Sequence, residues 1–299
     1  MMAALKPLSQ APISSAPVGV GLRHEHYSAA LSQPSPALDF VEIHAENFFA
    51  EGGAASRLLD QITEHYAVSI HGTAMGLGSA SGVNRQYLKK FVQLVNRVDP
   101  VLVSDHACFT WGEVAQEPVH SGDLLPLTFD KATLDILCTN IDTVQQALGR
   151  QLLVENIVTY LPFDAGDFSE AEFLARVAER TQCGLLVDLN NILVNYRNFS
   201  RGNPLSLACD WLAQLPASAV RELHLAGSSA VGPGMLIVDD HGQPVSDDCW
   251  ALFHEAHERF PHAATLIEWD NNLPVWQELL EEAHQARWRM DMVALEVAG

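Results

Sequence analysis

The chain has 299 residues, 48% of them hydrophobic, which is enough for one α/β barrel with a large core. Its 37 acidic and 17 basic residues give a formal net charge of −20, which argues against a nucleic-acid partner because phosphate backbones are bound by basic surfaces. No apolar stretch reaches the ~18–20 residues of a membrane span, so contact with a membrane is not expected either.

The first 15 residues predict a flexible leader and not a signal peptide. They contain a single basic residue, Lys6, and no continuous apolar run of the kind that export signals carry. The protein is therefore expected in the cytoplasm, with one domain over residues 16–290.

Eight short apolar runs follow, and each is a candidate β-strand. They span residues 18–22, 39–47, 67–73, 101–107, 152–157, 184–191, 221–229 and 264–270. Amphipathic patterns between them predict helices at 55–67, 84–98, 129–148, 169–182, 206–216, 247–260 and 272–291. Strand–helix alternation predicts a parallel sheet with right-handed crossovers. Eight such units, with no glycine-rich nucleotide-binding motif after the first strand, favour a closed (β/α)8 TIM barrel.

Three local signals refine this outline. Ser169 followed by Glu172 forms a capping box at the start of a predicted helix. Residues 109–128 and 192–205 are predicted as long loops that act as lids or specificity walls on the active face.

The polar residues within the predicted strands share one face. Side chains alternate across a strand, so His106 lies on the same side as Ser104, and His224 on the same side as Glu222. The opposite parity is apolar and suited to packing against helices; it holds Ile70, Val103, Val154, Val187, Leu223 and Ile267. Seven of the eight runs carry His, Asp or Glu near their carboxyl ends, where the active sites of such barrels lie.

These strand ends, together with the sequence DDHG at 239–242, supply four imidazoles and four carboxylates as candidate metal ligands. The candidates are His71, His106, Glu155, Asp188, His224, Asp239, His241 and Glu268. Nitrogen and oxygen donors without sulfur favour Fe, Mn, Zn or Co. Eight ligands exceed the need of one ion, so two or three ions with bridging carboxylates are expected. The five cysteines show no CxxC pair and are expected to be reduced thiols.

Several further polar residues are expected to support the site or to contact substrate. His44, Glu46 and Asn47 are predicted to contact substrate, to support the ligands or to line the barrel. Asp105 has the wrong parity for the lumen and is predicted to orient a neighbouring imidazole. Asn156 and Asn191, with their neighbour Asn190, would bind substrate amides or satisfy loop backbone groups, and a third interpretation of Asn156 is a weak metal ligand.

The order of these motifs resembles a known family. HAEN (44–47), HG (71–72), SDH (104–106), EN (155–156), DLNN (188–191), HLAG (224–227) followed by DDHG, and IEWD (267–270) are similar to the multinuclear non-haem iron-dependent oxidases. That family is also described as domain of unknown function 692 or UPF0276, and it includes the methanobactin biosynthetic oxidase. The resemblance covers roughly residues 15–285.

The resemblance implies a TIM barrel in which the eight candidate ligands hold two or three irons. It further implies O2 as co-substrate and the modification of a ribosomally made precursor peptide, usually at cysteine. A partner protein that presents the peptide is also expected. Ring closure on the oxidised peptide would need a base, for which Asp240 and Asp270 are the candidates.

Three other functions are alternatives from the residues alone. A divalent-metal sugar isomerase or epimerase also uses strand-end acids and histidines. It would need a lysine at a strand end beside the metal, and no predicted strand of this chain ends in lysine. A metal-dependent endonuclease of similar barrel shape is disfavoured by the acidic charge. A metal- and peptide-binding protein without catalysis would retain the same ligands.

Overall fold

The computed structural model describes residues 16–115, 117–161, 166–230, 232 and 235–298. The predicted leader, residues 1–15, lies outside the described residues. In chain order the elements are β1 (Val18–Gly21), α1 (Tyr27–Ser32), β2 (Phe40–His44), a 3₁₀ turn (Ala45–Phe48), α2 (Gly53–His65), β3 (Val68–Gly72), α3 (Arg85–Val98), β4 (Val103–His106), β5 (Phe109–Val114), β6 (Glu117–Leu125), α4 (Lys131–Leu148), β7 (Leu153–Glu155), α5 (Glu170–Thr181), β8 (Gly184–Asp188), α6 (Leu189–Phe199), α7 (Pro204–Leu212), β9 (Val220–Leu225), β10 (Ser229–Ala230), β11 (Ile237–Val238), α8 (Asp247–Arg259), β12 (Ala264–Ile267) and α9 (Trp276–Ala298).

Eight parallel strands close into a barrel in the order β1-β12-β9-β8-β7-β4-β3-β2. The predicted TIM barrel is confirmed. The register sets functional residues side by side at one end: His44 pairs with His71 across β2 and β3, and Asp188 pairs with His224 across β8 and β9. The other four strands form two small antiparallel sheets, β5 with β6 and β10 with β11.

The outer faces of the strands pack against the helices, as their alternation predicts. Every residue of the predicted apolar parity is buried in the main core: Ile70, Val103, Val154, Val187, Leu223 and Ile267. Inside the barrel, Phe40, Ala264 and Leu266 form a separate apolar cluster at the amino ends of the strands. A Cβ at Gly19 would lie 2.7 Å from the Phe40 ring, so only glycine lets that ring fill the barrel. This apolar floor leaves the polar side chains at the opposite end.

The helices begin at the residues that their caps specify. Side chains of Asn84, Asp130, Ser169, Asn203 and Ser246 each accept a hydrogen bond from a backbone N–H in the first turn. Each such cap is worth about 1 kcal/mol. The predicted contact of Ser169 with the backbone of Glu172 is among them.

Two predicted loops are wrong in detail. Residues 192–205 fall largely within α6, because the Asp188 side chain accepts the backbone N–H of Asn191 and starts a helix directly after β8. Residues 109–128 contain the β5–β6 hairpin, where glycine and proline obscure the strand alternation. The sequence patterns also missed α1 and the 3₁₀ turn, which are too short for a periodic signal, and placed the start of α9 four residues early.

None of the helices in the described part of the chain combines the length and the apolar composition that a membrane crossing requires.

Candidate metal centre

The carboxyl ends of the barrel strands gather the predicted ligands into one cluster. His71, His106, Glu155, Asp188 and His224 lie within β3, β4, β7, β8 and β9, and Glu268 directly follows β12. All six are buried, as is His241 from the loop above β9, whereas Asp239 is half-buried. The barrel thus places four imidazoles and four carboxylates at one end.

The first group of potential ligands is His71, His106 and Glu155. The Nε2 atoms of His71 and His106 lie 3.2 Å apart. Oε2 of Glu155 lies 3.4 Å from Nε2 of His71 and 3.2 Å from Nε2 of His106. Donors bonded at ~2.1 Å to one ion are separated by about 3.0–3.5 Å, so this spacing fits a shared ion. Nδ1 of His71 meets the Ser104 hydroxyl at 2.8 Å, which orients the ring.

A second group shares Glu155 with the first. It adds Asp188, His224 and Glu268, whose potential donor atoms all lie within 4.8 Å of one another. Nδ1 of His224 lies 3.0 Å from Oε2 of Glu268 and 3.5 Å from Oε1 of Glu155. The two oxygens of Glu155 therefore face different groups, which is the geometry of a bridging carboxylate.

A third group is built around His241. Its Nδ1 lies 3.2 Å from Glu268 and 3.4 Å from Asp270, while its Nε2 lies 2.7 Å from Asp239 and 3.6 Å from Asp188. Glu268 thus belongs to both the second and the third group. The arrangement offers sites for two or three neighbouring ions.

Backbone geometry brings His241 over the barrel. Its φ is +42°, a left-handed conformation that is uncommon for a residue other than glycine. Its carbonyl accepts the backbone N–H of Asp270 at 3.0 Å. At Gly227, just after β9, a Cβ would lie 2.2 Å from the carbonyl oxygen of Pro244. The absence of a side chain at Gly227 therefore lets the loop that carries His241 close onto β9.

Burial separates the protonation states of the cluster. It lowers the pKa of His106 to about 4 and that of His71 well below its usual value, so both rings are neutral and offer lone pairs. Burial raises the pKa of Glu155 well above its usual range and that of Asp188 to about 7. Burial opposes a charge on His224, yet Glu268 and Glu155 hold its pKa well above the ordinary value. Bound cations would relieve the repulsion among these carboxylates.

Unpartnered buried atoms test whether the residues fit a metal cluster. Buried polar atoms in proteins are nearly always hydrogen-bonded. Within the described ranges, atoms of five predicted ligands have no hydrogen-bond partner: Nδ1 of His106, Oε2 of Glu155, Oδ2 of Asp188, Nε2 of His224 and both ring nitrogens of His241. Most of these atoms lie within about 3.6 Å of another potential metal-ligand atom, close to the separation of two atoms bound to one ion. The donor set therefore fits a multinuclear centre with nitrogen and oxygen ligands.

Three residues of the site were missed by the sequence patterns. Arg23, after β1, donates to Asp270 at 2.8 Å and to Glu268 at 2.9 Å. Glu42 and Glu222 point into the barrel below the cluster and are fully buried. Glu42 lies two residues before His44, and Glu222 two residues before His224, so each glutamate shares a strand face with a histidine. That spacing was a usable sequence signal for both glutamates. For Arg23 there was no sequence signal except its position after β1, the one predicted strand without an acid or histidine at its carboxyl end.

The HAEN residues lie at the edge of the site. His44 is half-buried, with Nε2 3.9 Å from Asp270, and burial together with Arg23 lowers its pKa to about 4. Glu46 accepts the backbone N–H of Thr73 at 2.8 Å and the hydroxyl of Tyr87. Asn47 is exposed on the 3₁₀ turn. Only His44 of the three falls within a group of potential ligands, with Glu42 and Glu268.

Asp105 contacts backbone and not an imidazole ring. Its carboxylate accepts the N–H of His106 at 2.8 Å and that of Met75 at 3.3 Å, and no hydrogen bond to a ring nitrogen is present among the described residues. Burial and the nearby Glu46 raise its pKa well above the usual range. Asp105 therefore fixes the backbone on which His106 is carried.

The asparagines also satisfy backbone groups. Asn156 accepts the N–H of Asp188 at 2.9 Å and donates to its carbonyl at 3.0 Å, while the Asn191 side chain donates to the Asn156 carbonyl at 3.1 Å. Asn190 donates to Asp239 at 2.8 Å. Of the two base candidates, Asp270 belongs to the third group, whereas the Asp240 side chain accepts the Gly242 N–H at 3.3 Å and lies in no group of potential ligands.

The barrel and its buried cluster define a TIM-barrel protein with a candidate multinuclear metal centre. The family model described as "RiPP precursor modification enzyme MbnB/TglH/ChrH" matches residues 17–291, and the chain belongs to this family, as the sequence motifs predict. A UPF0276 protein of Caulobacter vibrioides is 41% identical over 271 residues, covering 91% of this chain and 93% of that one. A UPF0276 protein of Vibrio vulnificus is 40% identical over 274 residues, covering 90% of each chain.

Among solved structures, a D-tagatose 3-epimerase-like protein is similar with a TM-score of 0.56 and 14% identity, covering 94% of this chain and 99% of that one. At this identity the likeness shows the fold alone. Family membership supports enzymatic activity on a ribosomally made peptide precursor.

Proposed function

We propose that this chain is a multinuclear non-haem iron enzyme that uses O2 to oxidise a cysteine of a ribosomally made precursor peptide. The observation that carries the proposal is the set of three overlapping ligand groups, joined through Glu155 and Glu268, at the active end of the barrel. Family membership supports the peptide substrate, and the sulfur-free donor set is compatible with iron.

In this proposal the eight candidate ligands would hold two or three irons. Glu155 and Glu268 would each be shared between two neighbouring ligand groups, His71 and His106 would bind as neutral rings, and the Ser104 hydroxyl orients His71. When bound, the iron supplies a coordination position for a substrate thiolate and one-electron chemistry with O2. None of the five cysteines, all of which lie in the described ranges, belongs to a ligand group. The thiolate is therefore assigned to the substrate.

Asp270 is the better candidate for the base. It faces His241 from the boundary between the cluster and solvent, with a third of its side chain exposed. Burial opposes ionisation, yet Arg23 and His241 lower its pKa to about 2, which makes it a weak base in the metal-free protein. Its position beside His241 is what favours it as the candidate. Asp240 lies outside the ligand groups and is the less favoured candidate.

The mouth of the barrel offers a surface for the peptide or for a protein that presents it. Exposed apolar side chains lie on the β5–β6 hairpin, in the loop after β7 and at the end of α6, namely Phe109, Val114, Val119, Tyr160, Leu161 and Phe199. The Tyr160 hydroxyl accepts the backbone N–H of Asp239 at 2.9 Å, which links this rim to the third ligand group. Apolar side chains exposed together on one face are typical of interaction sites.

A sugar isomerase is the weaker alternative. Lys89 and Lys90 lie on α3 and Lys131 on α4, so none of these lysines reaches a strand end. The similarity to the epimerase-like structure supports only the fold and gives no support to sugar chemistry.

Oxygen uptake with the cognate peptide tests the proposal. Protein reconstituted with Fe²⁺ under anaerobic conditions is mixed with a cysteine-containing precursor peptide encoded beside its gene, and O2 consumption is followed together with peptide mass. We expect O2 consumption with a mass change confined to the cysteine, and neither with a Cys→Ser peptide. Binding of the peptide with no O2 consumption would instead favour the non-catalytic binding protein.

A further inference from the structure

A second layer of acidic side chains lies inside the barrel, one step below the candidate cluster. Glu42 on β2 and Glu222 on β9 are both fully buried. All four of their carboxylate oxygens lack a hydrogen-bond partner within the described ranges. Ser69, which pairs with Glu42 in the sheet register, is likewise buried with an unpartnered hydroxyl. These atoms form a polar layer, here called the chamber, between the apolar floor and the strand ends.

His224 connects this chamber to the cluster above. Its Nδ1 faces Glu268 and Glu155, whereas its Nε2 lies 3.5 Å from Oε2 of Glu42 and 3.9 Å from Oε1 of Glu222. The ring is fully buried, and Nε2 has no hydrogen-bond partner among the residues described. An unpartnered imidazole nitrogen is thus aimed at two unpartnered carboxylates.

Positive charge near the pair is scarce. Arg23 lies 4.0 Å from Oε1 of Glu42, but its guanidinium already donates to Glu268 and Asp270. In the described part of the chain, the only ion-pair partner near Glu222 is His224. Two carboxylates buried with so little compensation carry a large desolvation cost, which a bound cation would offset.

We propose that Glu42, Glu222 and Nε2 of His224 bind a further divalent transition-metal ion inside the barrel, below the proposed iron cluster. Both separations are too long for good hydrogen bonds. The 3.5 Å separation matches donors that share one ion at bond lengths of about 2.1 Å, and the 3.9 Å separation is a few tenths of an ångström wider. Two carboxylates and one imidazole suit Fe²⁺, Mn²⁺ or Zn²⁺. His224 would then bind one ion through each ring nitrogen, as a bridging imidazolate. The inference rests on the proposed function only in sharing His224 with it.

Anomalous diffraction locates the ion directly. Crystals of protein loaded with Zn²⁺ alone, or with Fe²⁺ alone under anaerobic conditions, are measured at the absorption edge of that metal. We expect a peak between Glu42, Glu222 and Nε2 of His224, separate from any peak at the strand-end groups. Occupied strand-end groups with no peak in the chamber would overturn the inference.

Variants supply the second measurement. We expect Glu222→Gln and Glu42→Gln each to lose one ion per chain and the lower peak, while the peak at His71, His106 and Glu155 remains. Glu170→Gln is the matched control, because Glu170 is a carboxylate on α5 that accepts from Trp211 at 3.1 Å, away from the barrel lumen. Unchanged metal content in both chamber variants would overturn the inference. If neither variant folds, the wild-type anomalous map decides alone.

The two proposals fail in different ways. A lower peak in a protein that consumes no O2 with its peptide would leave the chamber site standing and remove the oxidase. O2 consumption with an empty chamber would do the opposite.

Discussion

Arg23 provides, within the described ranges, the only arginine or lysine ion pairs to the carboxylates of the candidate metal centre. Burial acts against its charge, but Asp270, Glu268 and Glu42 together raise its pKa above the ordinary value. In the metal-free protein, this single guanidinium compensates part of the negative charge that metal ions would otherwise balance.

Removing that charge should destabilise the metal-free protein. Arg23→Gln leaves Glu268 and Asp270 without their cation, and breaking a buried pair in this way costs about 3–5 kcal/mol. Urea unfolding of chelator-treated protein measures the loss. Arg176→Gln is the control, because Arg176 pairs with Glu172 on the exposed face of α5, where a surface pair contributes below about 1 kcal/mol. Equal losses in the two variants would contradict the role given to Arg23.

Neighbouring residues on β4 should differ in their effect on metal content. His106→Ala removes a donor of the first ligand group, and we expect that ion to be lost. Asp105→Asn retains an oxygen that can accept the His106 N–H, so we expect metal affinity to fall by no more than about tenfold. Metal per chain after identical Fe²⁺ reconstitution compares the two. Equal loss of metal would make Asp105 a ligand itself.

At the scale of elements, the junctions between strand and loop place the ligands. Asp188 ends β8 and at the same time caps α6, so one carboxylate fixes the helix with Oδ1 and leaves Oδ2 facing His241. The loop after β9 brings Asp239 and His241 back over the barrel through the close approach at Gly227.

A side chain at Gly227 should displace that loop. In Gly227→Ala the new Cβ would meet the carbonyl oxygens of Gln243 and Pro244, backbone atoms that cannot move without shifting His241. We expect metal affinity to fall by about 10–100-fold, as when groups that position a ligand are lost. Isothermal titration of the metal-free protein with Mn²⁺ measures it. Gly112→Ala, on the exposed hairpin with nothing within 4 Å, is the control and should bind as wild type. Wild-type affinity in both variants would show that the loop tolerates the shift.

For the whole molecule, the sequence predicts most of the barrel because two-residue alternation and strand-end chemistry are local patterns. His71, His106 and Glu155 could be grouped from those patterns alone. Arg23 could not, because its partners Glu268 and Asp270 lie 245 and 247 residues away along the chain. Glu42 and Glu222 lie on the same strand face as His44 and His224, but two residues earlier, so the strand-end pattern did not include them. The start of α6 was hidden because Asp188 serves as strand residue, cap and candidate ligand at once.

The net charge of −20 has part of its origin in this architecture. Glu42, Glu155, Asp188, Glu222 and Glu268 are all buried at one end of a single barrel. Cations bound among these acids would relieve the repulsion between their ionised forms. The proposed function therefore depends on which cations the protein binds.

Metal content by inductively coupled plasma mass spectrometry, on protein purified without oxygen, tests this most directly. The proposed iron oxidase predicts at least two irons per chain. One equivalent or less of Mn, Mg or Zn, with no iron even after Fe²⁺ reconstitution, would contradict it and favour a mononuclear isomerase-like or hydrolytic enzyme.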